Sequence, residues 1–383
     1  MATFRIREDV ENIKPYENKL KAAVVGLNDK KKKSFLDNQI KLNGLKAATS
    51  KPAAKKAKIT ENKENEKPKN KQKAAEPVEK LEKDLIVRLE TTKENSEPRE
   101  TKTTKERHPT FPLDQLHNYE YRMDILIYLK GLERTCPKPK PNYMSMQSDL
   151  TWATRAILVD WLASVSDEYK FADETFHLSV NYIDRFLSQI SMIRSKFQLL
   201  GAAAMMVATK MEEYYPLDAT EWSFLTGDAF TSNQVLKMEK MLLKVLRFIT
   251  KPPTINEFIK RFCSAAEIDQ TTEFFAMYIS DLVLLEGSDY IEHFPSKLAA
   301  ASIALATLHI RADKKGPWTT KLKQLSGYTL KELSPVIKRQ LKTLEDSPRK
   351  QQQAIQAKYS SSRYHSVAKC YPKLNLENLE NED

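Results

Sequence analysis

The polar and apolar pattern of the chain is clearest at Thr151–Lys170, TWATRAILVDWLASVSDEYK, where only Asp160 and Ser164 interrupt an apolar run from Ala156 to Val165. A helix that is apolar nearly all round is packed by other helices on every side, so this stretch is the expected hub of the fold. Arg155 and Asp160 are five residues apart, and at about 100° per residue they face different directions. Each therefore needs a partner on another helix, because an unpaired buried charge is costly. Ahead of the hub, within Tyr119–Glu133, Ile125, Tyr128, Leu129 and Leu132 recur at the spacing of one helical face. Pro137, Pro139 and Pro141 stop that helix and leave it as an outrigger. After the hub the pattern predicts a helix capped by Asp173 and running to Leu187, then one over Lys196–Glu213 whose small residues Gly201–Ala204 permit close contact. A short helix starts at Asp218, and a long one, capped by Thr231 or Ser232, runs to Phe248 before Pro252-Pro253 closes the unit. No useful length alternates with period two, so the predicted class is all-α.

The unit occurs twice. Leu200–Thr209, LGAAAMMVAT, matches Leu298–Thr307, LAAASIALAT, ninety-eight residues further on, and Phe230-Thr231 matches Tyr328-Thr329 at the same offset. Two separated matches at one offset imply two tandem five-helix units. Thr254 caps the second copy's first helix and Leu341–Leu344 closes its last. That first helix, INEFIKRFC, is more polar than the hub, so only the first copy keeps an apolar centre.

Composition adds an arm. Of 383 residues, 1–110 carry a net +10 and 111–383 only +1, whereas a nucleic-acid-binding fold shows its basic patch on the folded surface. Nucleic acid is therefore not an expected partner. Within the arm only Phe4, Tyr16 and Phe35 are aromatic, too little apolar surface to offset the entropy of ordering. Cys136, Cys263 and Cys370 form no CxxC pair, which suits a reducing compartment and gives neither a zinc site nor a disulfide framework. No signal peptide opens the chain, and the run at Leu298–Ile310 is too short to span a bilayer. The expectation is a soluble intracellular protein with no membrane partner.

Two lysine clusters, Lys30–Lys33 and Lys51, Lys55, Lys56 and Lys58, are of the kind a nuclear import receptor reads by charge, or are solubilising tracts. The import reading sets the expected location as the nucleus, with shuttling to the cytoplasm left open. Lys-Glu-Asn occurs twice, at Lys63-Glu64-Asn65 and Lys93-Glu94-Asn95, each with a proline three residues on, Pro68 and Pro98. Both resemble the KEN box by which a mitotic ubiquitin ligase captures its substrates. Lys21–Asp29, KAAVVGLND, is similar to the companion destruction box, with lysine in place of arginine and valine in place of leucine.

Enzyme chemistry is not visible. The eight glycines form no phosphate-cradling loop, the six histidines give no HExxH, no serine sits in a GxSxG elbow, and no cofactor is implied. Glu212-Glu213 are adjacent and diverge by about 100° on a helix, a poor catalytic dyad. Recognition is the expected function.

Two tandem five-helix units centred on RAILVDWL resemble the cyclin family, and the likeness covers about residues 119–365. TRAILVDWL, NYIDRFL, FQLLGAAAMMVATKMEEYYP and KMEKMLLKVLRF are similar to the signature segments of the cyclin box. YMSMQSDLT and SMIRSKFQLLG resemble A-type members, while KRF at Lys260–Phe262 and MEK at Met238–Lys240 lean toward B-type. The division implied is an arm over 1–110, an N-terminal helix and linker over 111–150, boxes over 151–251 and 252–347, and an extension over 348–383. The resemblance implies a non-catalytic subunit that binds and activates a cyclin-dependent kinase.

It also implies roles. Lys210 and Glu239 correspond to the lysine and glutamate that grip the kinase, and they equally suit a helix-to-helix ion pair; both can hold. Met211, Lys240, Leu243 and Phe248 flank them, and Ile125 and Tyr128 reach the kinase's other lobe. Methionine stands at 211 where the family commonly has an aromatic. Thr154, Ile157, Leu158 and Trp161, with Arg194, Phe197 and Gln198, resemble the patch that docks arginine-x-leucine motifs of substrates and inhibitors, the alternative being plain core. The family often has glutamate at the position of Ser164 and methionine at that of Thr154. Arg155 is implied to pair with Asp184, and the resemblance assigns no partner to Asp160. Ser347-Pro348-Arg349-Lys350 has the form that proline-directed kinases phosphorylate, or is a helix-ending turn. The competing reading is a doubled-fold transcription initiation factor, for which a zinc ribbon and a basic face on the repeats are missing.

Overall fold

The computed structural model describes residues 121–310 and 318–369; both Lys-Glu-Asn triplets, both lysine clusters and Lys21–Asp29 lie outside them. All regular structure among the described residues is helical, as the periodicity predicts. The first box comprises α2 (Trp152–Tyr169), α3 (Asp173–Leu187), α4 (Phe197–Glu212), α5 (Ala219–Leu225) and α6 (Ser232–Val245). The second comprises α7 (Ile255–Ala266), α8 (Gln270–Glu286), α9 (Pro295–Ile310), α10 (Thr320–Ser326) and α11 (Leu330–Asp346). An outer helix stands at each end, α1 (Arg122–Thr135) and α12 (Ala354–Tyr359). Among the described residues no helix is long and apolar enough to cross a membrane.

Helix starts follow the side chains that satisfy first-turn N–H groups. Thr151 opens α2 by accepting from Thr154 N, and Asp218 and Glu221 cap α5 reciprocally. Thr231 with Gln234 and Thr329 with Glu332 do the same for α6 and α11, so the repeat extends to the individual cap. Two boundaries differ from the sequence expectation. Asp173 is the first residue of α3 rather than its cap, and its carboxylate is committed to Lys358. The helix α6 stops at Val245, because Arg247 and Phe248 take left-handed backbone with φ of 53° and 57°.

The centre of each box also differs. In α4 every residue from Phe197 to Thr209 is buried, as is Leu298–Thr307 in α9. These small-residue helices each pack against the other helices of their own box. A Cβ at Gly201 would stand 2.7 Å from Leu158 Cδ1, so α2 sits on α4 at backbone range. The hub α2 is instead a seam: α3 and α4 cover one side, and α8 and α12 the other. That position explains its apolar circumference; α7, which is amphipathic, packs within its own box and meets the first box through α3. The outrigger α1 packs on α7 of the second box and buries Leu126, Leu129 and Glu133.

Polar contacts cross the seam. Arg155 Nε and Nη2 donate to Asp184 at 2.7 and 2.8 Å, and its Nη1 donates to Leu284 O at 2.8 Å in the second box. Asp160 accepts from Ala354 N at 2.9 Å, which supplies the partner that the sequence left open. Asp281, fully buried in α8, meets His177 Nε2 at 2.9 Å, Lys358 Nζ at 3.0 Å and Tyr359 Oη at 3.0 Å. Ala354, Lys358 and Tyr359 of α12 thus brace both boxes. Ser347 is a correction: it is buried, its Oγ donates to Leu344 O at 2.8 Å and lies 3.2 Å from Tyr278 Oη, and a kinase reaches it only if that turn unfolds.

Burial alone would raise the pKa of Asp281, but Lys358 and His177 hold it below the ordinary aspartate value of 3.8. A depressed carboxylate stabilises above its ordinary value and loses that contribution as pH falls through the folded one. Asp281→Asn leaves the buried Lys358 ammonium with Asp173 as its one remaining carboxylate and is expected to cost roughly 1.5–3 kcal/mol at neutral pH. The gap to wild type should narrow below about pH 4. Urea midpoints from pH 7 down to 3.5 check this; a gap that does not change with pH counts against the charge contact.

Candidate functional site: a partner-binding edge and a docking face

The last turn of α4 lies beside α6, and there Lys210 Nζ donates to Glu239 Oε1 at 2.5 Å. The ion pair does not hide the lysine, whose side chain stays 44% exposed. An ammonium has three donors, so the pair leaves capacity for a second acceptor. Met211 and Lys240 are exposed nearby in sequence, and Leu243 is half-buried. Phe248 is 69% exposed, held out by the left-handed turn that ends α6. That turn is fastened from inside: Arg185 donates to Leu246 O at 3.2 Å and Ile249 O at 2.8 Å, and Tyr182 donates to Thr250 O. Thr250 Oγ1 lies 3.5 Å from Met211 Sδ, and Lys251 pairs with Glu212, which joins the end of α4 to the turn.

Sequence reasoning missed the aromatic pair that follows. Tyr214 is 88% exposed and meets Tyr215 edge-on at 4.7 Å. Adjacent tyrosines directly after MEE, before a proline-ended turn, were the available signal. Met211, Phe248 and Ile249 are exposed as well, so large apolar side chains stand out where α4 and α6 end, the composition of a partner surface. Tyr128, exposed, and Ile125, half-buried, stand apart on α1. Among the described residues no cluster is arranged to hold a metal, and burial raises the pKa of both free thiols, Cys136 and Cys263.

The docking face is largely corrected by burial. Leu158 and Trp161 are 0% exposed, and Thr154, Phe197 and Gln198 are buried with them, because α2 rests on α4 on this side. Only Ile157 and Arg194 keep partial exposure. Three N–H donors here are buried without a partner: Trp161 Nε1, Arg194 Nε and Gln198 Nε2. Arg194 Nη2 reaches Thr154 Oγ1 at 3.5 Å, the limit of a hydrogen bond. Trp161 itself is core: Trp161→Ala is expected to lose roughly 3–5 kcal/mol of stability, read as a lower thermal midpoint. An unchanged midpoint would return Trp161 to the surface.

Comparison with known proteins agrees with this architecture. The cyclin N-terminal domain model matches residues 124–251 and the cyclin C-terminal domain model residues 253–373. The G2/mitotic-specific cyclin-A of Patella vulgata is 40% identical over 292 residues, 75% of this chain and 68% of that protein. Cyclin-A2 of Homo sapiens is 42% identical over 254 residues, 66% of this chain and 58% of that protein, and cyclin-A2 of Bos taurus is 43% identical over the same shares. The matches thus span about three-fifths of the length of these mammalian relatives. A viral cyclin from herpesvirus saimiri shares the fold, with a TM-score of 0.53 at 22% identity over 58% of this chain and 97% of that one. Two boxes joined at one seam, matched in order by both cyclin domains and at about 40% identity by A-type proteins, place this chain in the cyclin family, among non-catalytic regulators rather than enzymes.

Proposed function

We propose that this chain binds and activates a cyclin-dependent serine/threonine kinase and so controls cell-cycle progression. The observation that carries the reading is the edge of the first box, where Lys210 stays half-exposed in its pair with Glu239 and the ends of α4 and α6 expose Met211, Tyr214 and Phe248. The family supports the partner class, and the name of the Patella vulgata relative, G2/mitotic-specific, supports a mitotic period of action. Ile125 and Tyr128 contact the kinase's other lobe. Substrates and inhibitors carrying arginine-x-leucine motifs dock at Ile157 and Arg194, the two members of the set that keep partial exposure. In the arm, the lysine clusters direct the protein to the nucleus through an import receptor, and Lys63-Glu64-Asn65 and Lys93-Glu94-Asn95 deliver it to a mitotic ubiquitin ligase.

The full-length protein is expected to raise the activity of a cyclin-dependent kinase toward a Ser-Pro-x-Lys peptide. Lys210→Ala should weaken kinase binding about tenfold, the equivalent of about 1.4 kcal/mol, without shifting the thermal midpoint by more than a degree or two. Kinase that stays inactive with the wild-type chain overturns the reading. Alanines at both Lys-Glu-Asn triplets should lengthen the half-life through mitosis; an unchanged half-life removes the degradation role.

A further inference from the structure

The two charges that α1 turns inward each meet the end of a helix of the second box. Glu133 is buried and accepts from both Ser296 Oγ, at 2.7 Å, and Ser296 N, at 3.1 Å, in the first turn of α9. Three residues earlier Lys130 Nζ donates to Ser326 O, at 2.5 Å, at the end of α10. An anion therefore sits on a helix N-terminus and a cation on a helix C-terminus, each matched to the local partial charge. Tyr328 closes the set: its hydroxyl lies 2.9 Å from Ser296 Oγ, and its ring is 5.9 Å from Lys130 Nζ.

Both charges are taken out of water to make these contacts. Burial raises the pKa of Glu133 and lowers that of Lys130 to about 8, which still leaves the lysine charged at neutral pH. Buried charged contacts return little stability compared with an apolar fill, and Leu126 and Leu129 already supply the apolar grip. What the charges add is register. Glu133 and Tyr128 are five residues apart, so once Glu133 is fixed the tyrosine is directed about 140° away from the second box. A slip of one residue would rotate Tyr128 by about 100°. The linker that follows, with Pro137, Pro139 and Pro141, makes no regular structure that could set that angle.

We propose that Glu133 and Lys130 are positioning residues for kinase binding: by bolting α1 to α9 and α10 they hold Ile125 and Tyr128 at the angle at which the kinase's second lobe meets them. This rests on the kinase reading above, and it makes the second box, which presents none of the expected kinase contacts itself, a determinant of affinity through α1.

The test compares full-length wild type, Glu133→Ala, Glu133→Gln and Lys130→Met for binding to a cyclin-dependent kinase, with amide exchange of residues 122–135 followed in the free protein. Glu133→Gln keeps an acceptor for Ser296 and is expected to bind like wild type. Glu133→Ala should bind about tenfold more weakly, and Lys130→Met about threefold, with faster exchange in α1 and unchanged protection in α4 and α9. If Glu133→Ala unfolds the protein, Lys130→Met decides alone: full affinity overturns the proposal. Glu133→Ala with loosened α1 amides and wild-type affinity overturns it too, as does Glu133→Gln that binds as poorly as Glu133→Ala. A wild-type chain that binds no kinase overturns the kinase reading and the proposal together.

Discussion

Arg155 is buried in α2 and uses its guanidinium in two directions. Toward the first box it closes two bonds on Asp184 of α3, to which Tyr143 Oη also donates at 2.7 Å. Toward the second it donates to Leu284 O at 2.8 Å and Leu285 O at 3.3 Å, carbonyls of the last turn of α8, where a cation opposes the helix's negative end. The residue after α8 has to leave room for it. Gly287, with φ of 71°, would put a Cβ 2.5 Å from Arg155 Nη1. Such a buried ion pair returns little net stability against a well-packed apolar replacement. It does fix α2, α3 and α8 relative to one another, because a planar fork bonded on both sides tolerates little rotation.

The remaining contacts between the boxes have the same character. Glu174 accepts from Thr254 Oγ1 and Asn256 Nδ2, with its pKa raised by burial, and Asp281 gathers groups from α3 and α12. Each box has an apolar centre of its own in α4 or α9, and a network of buried polar groups runs between them. Apolar surfaces can slide at modest cost, whereas a displaced network exposes several unpaired groups at once. The seam is therefore the part of the molecule with the fewest acceptable arrangements.

Much of this was legible in the sequence because it is local. Apolar period, cap residues and the offset of ninety-eight residues gave the helices, their starts and the two boxes. What could not be read was what covers a helix from a distance. The apolar circumference of α2 indicated burial on all sides without saying that part of the cover is α12, about two hundred residues later; nothing in the extension's composition signals that Lys358 and Ala354 reach Asp281 and Asp160. The docking face failed for the same reason. Helical spacing gives the side of α2 on which Trp161 lies but not how deeply α4 covers it. Lys210 and Glu239 were found by motif, while the exposure of Tyr214 depends on where the chain turns after α4.

The exposed edge of the first box is consequently not a local feature. Phe248 is presented by a left-handed turn whose carbonyls are held by Arg185 and Tyr182 of α3. The same helix carries Asp184, which Arg155 ties to α8, and His177, which meets Asp281. A surface that must meet a partner in one orientation gains from support that does not move when the partner arrives. Here that support passes from the turn through α3 to the seam, and from the seam into the second box. A change at the seam can therefore alter recognition without touching any exposed residue, through the angle at which α3 holds the turn.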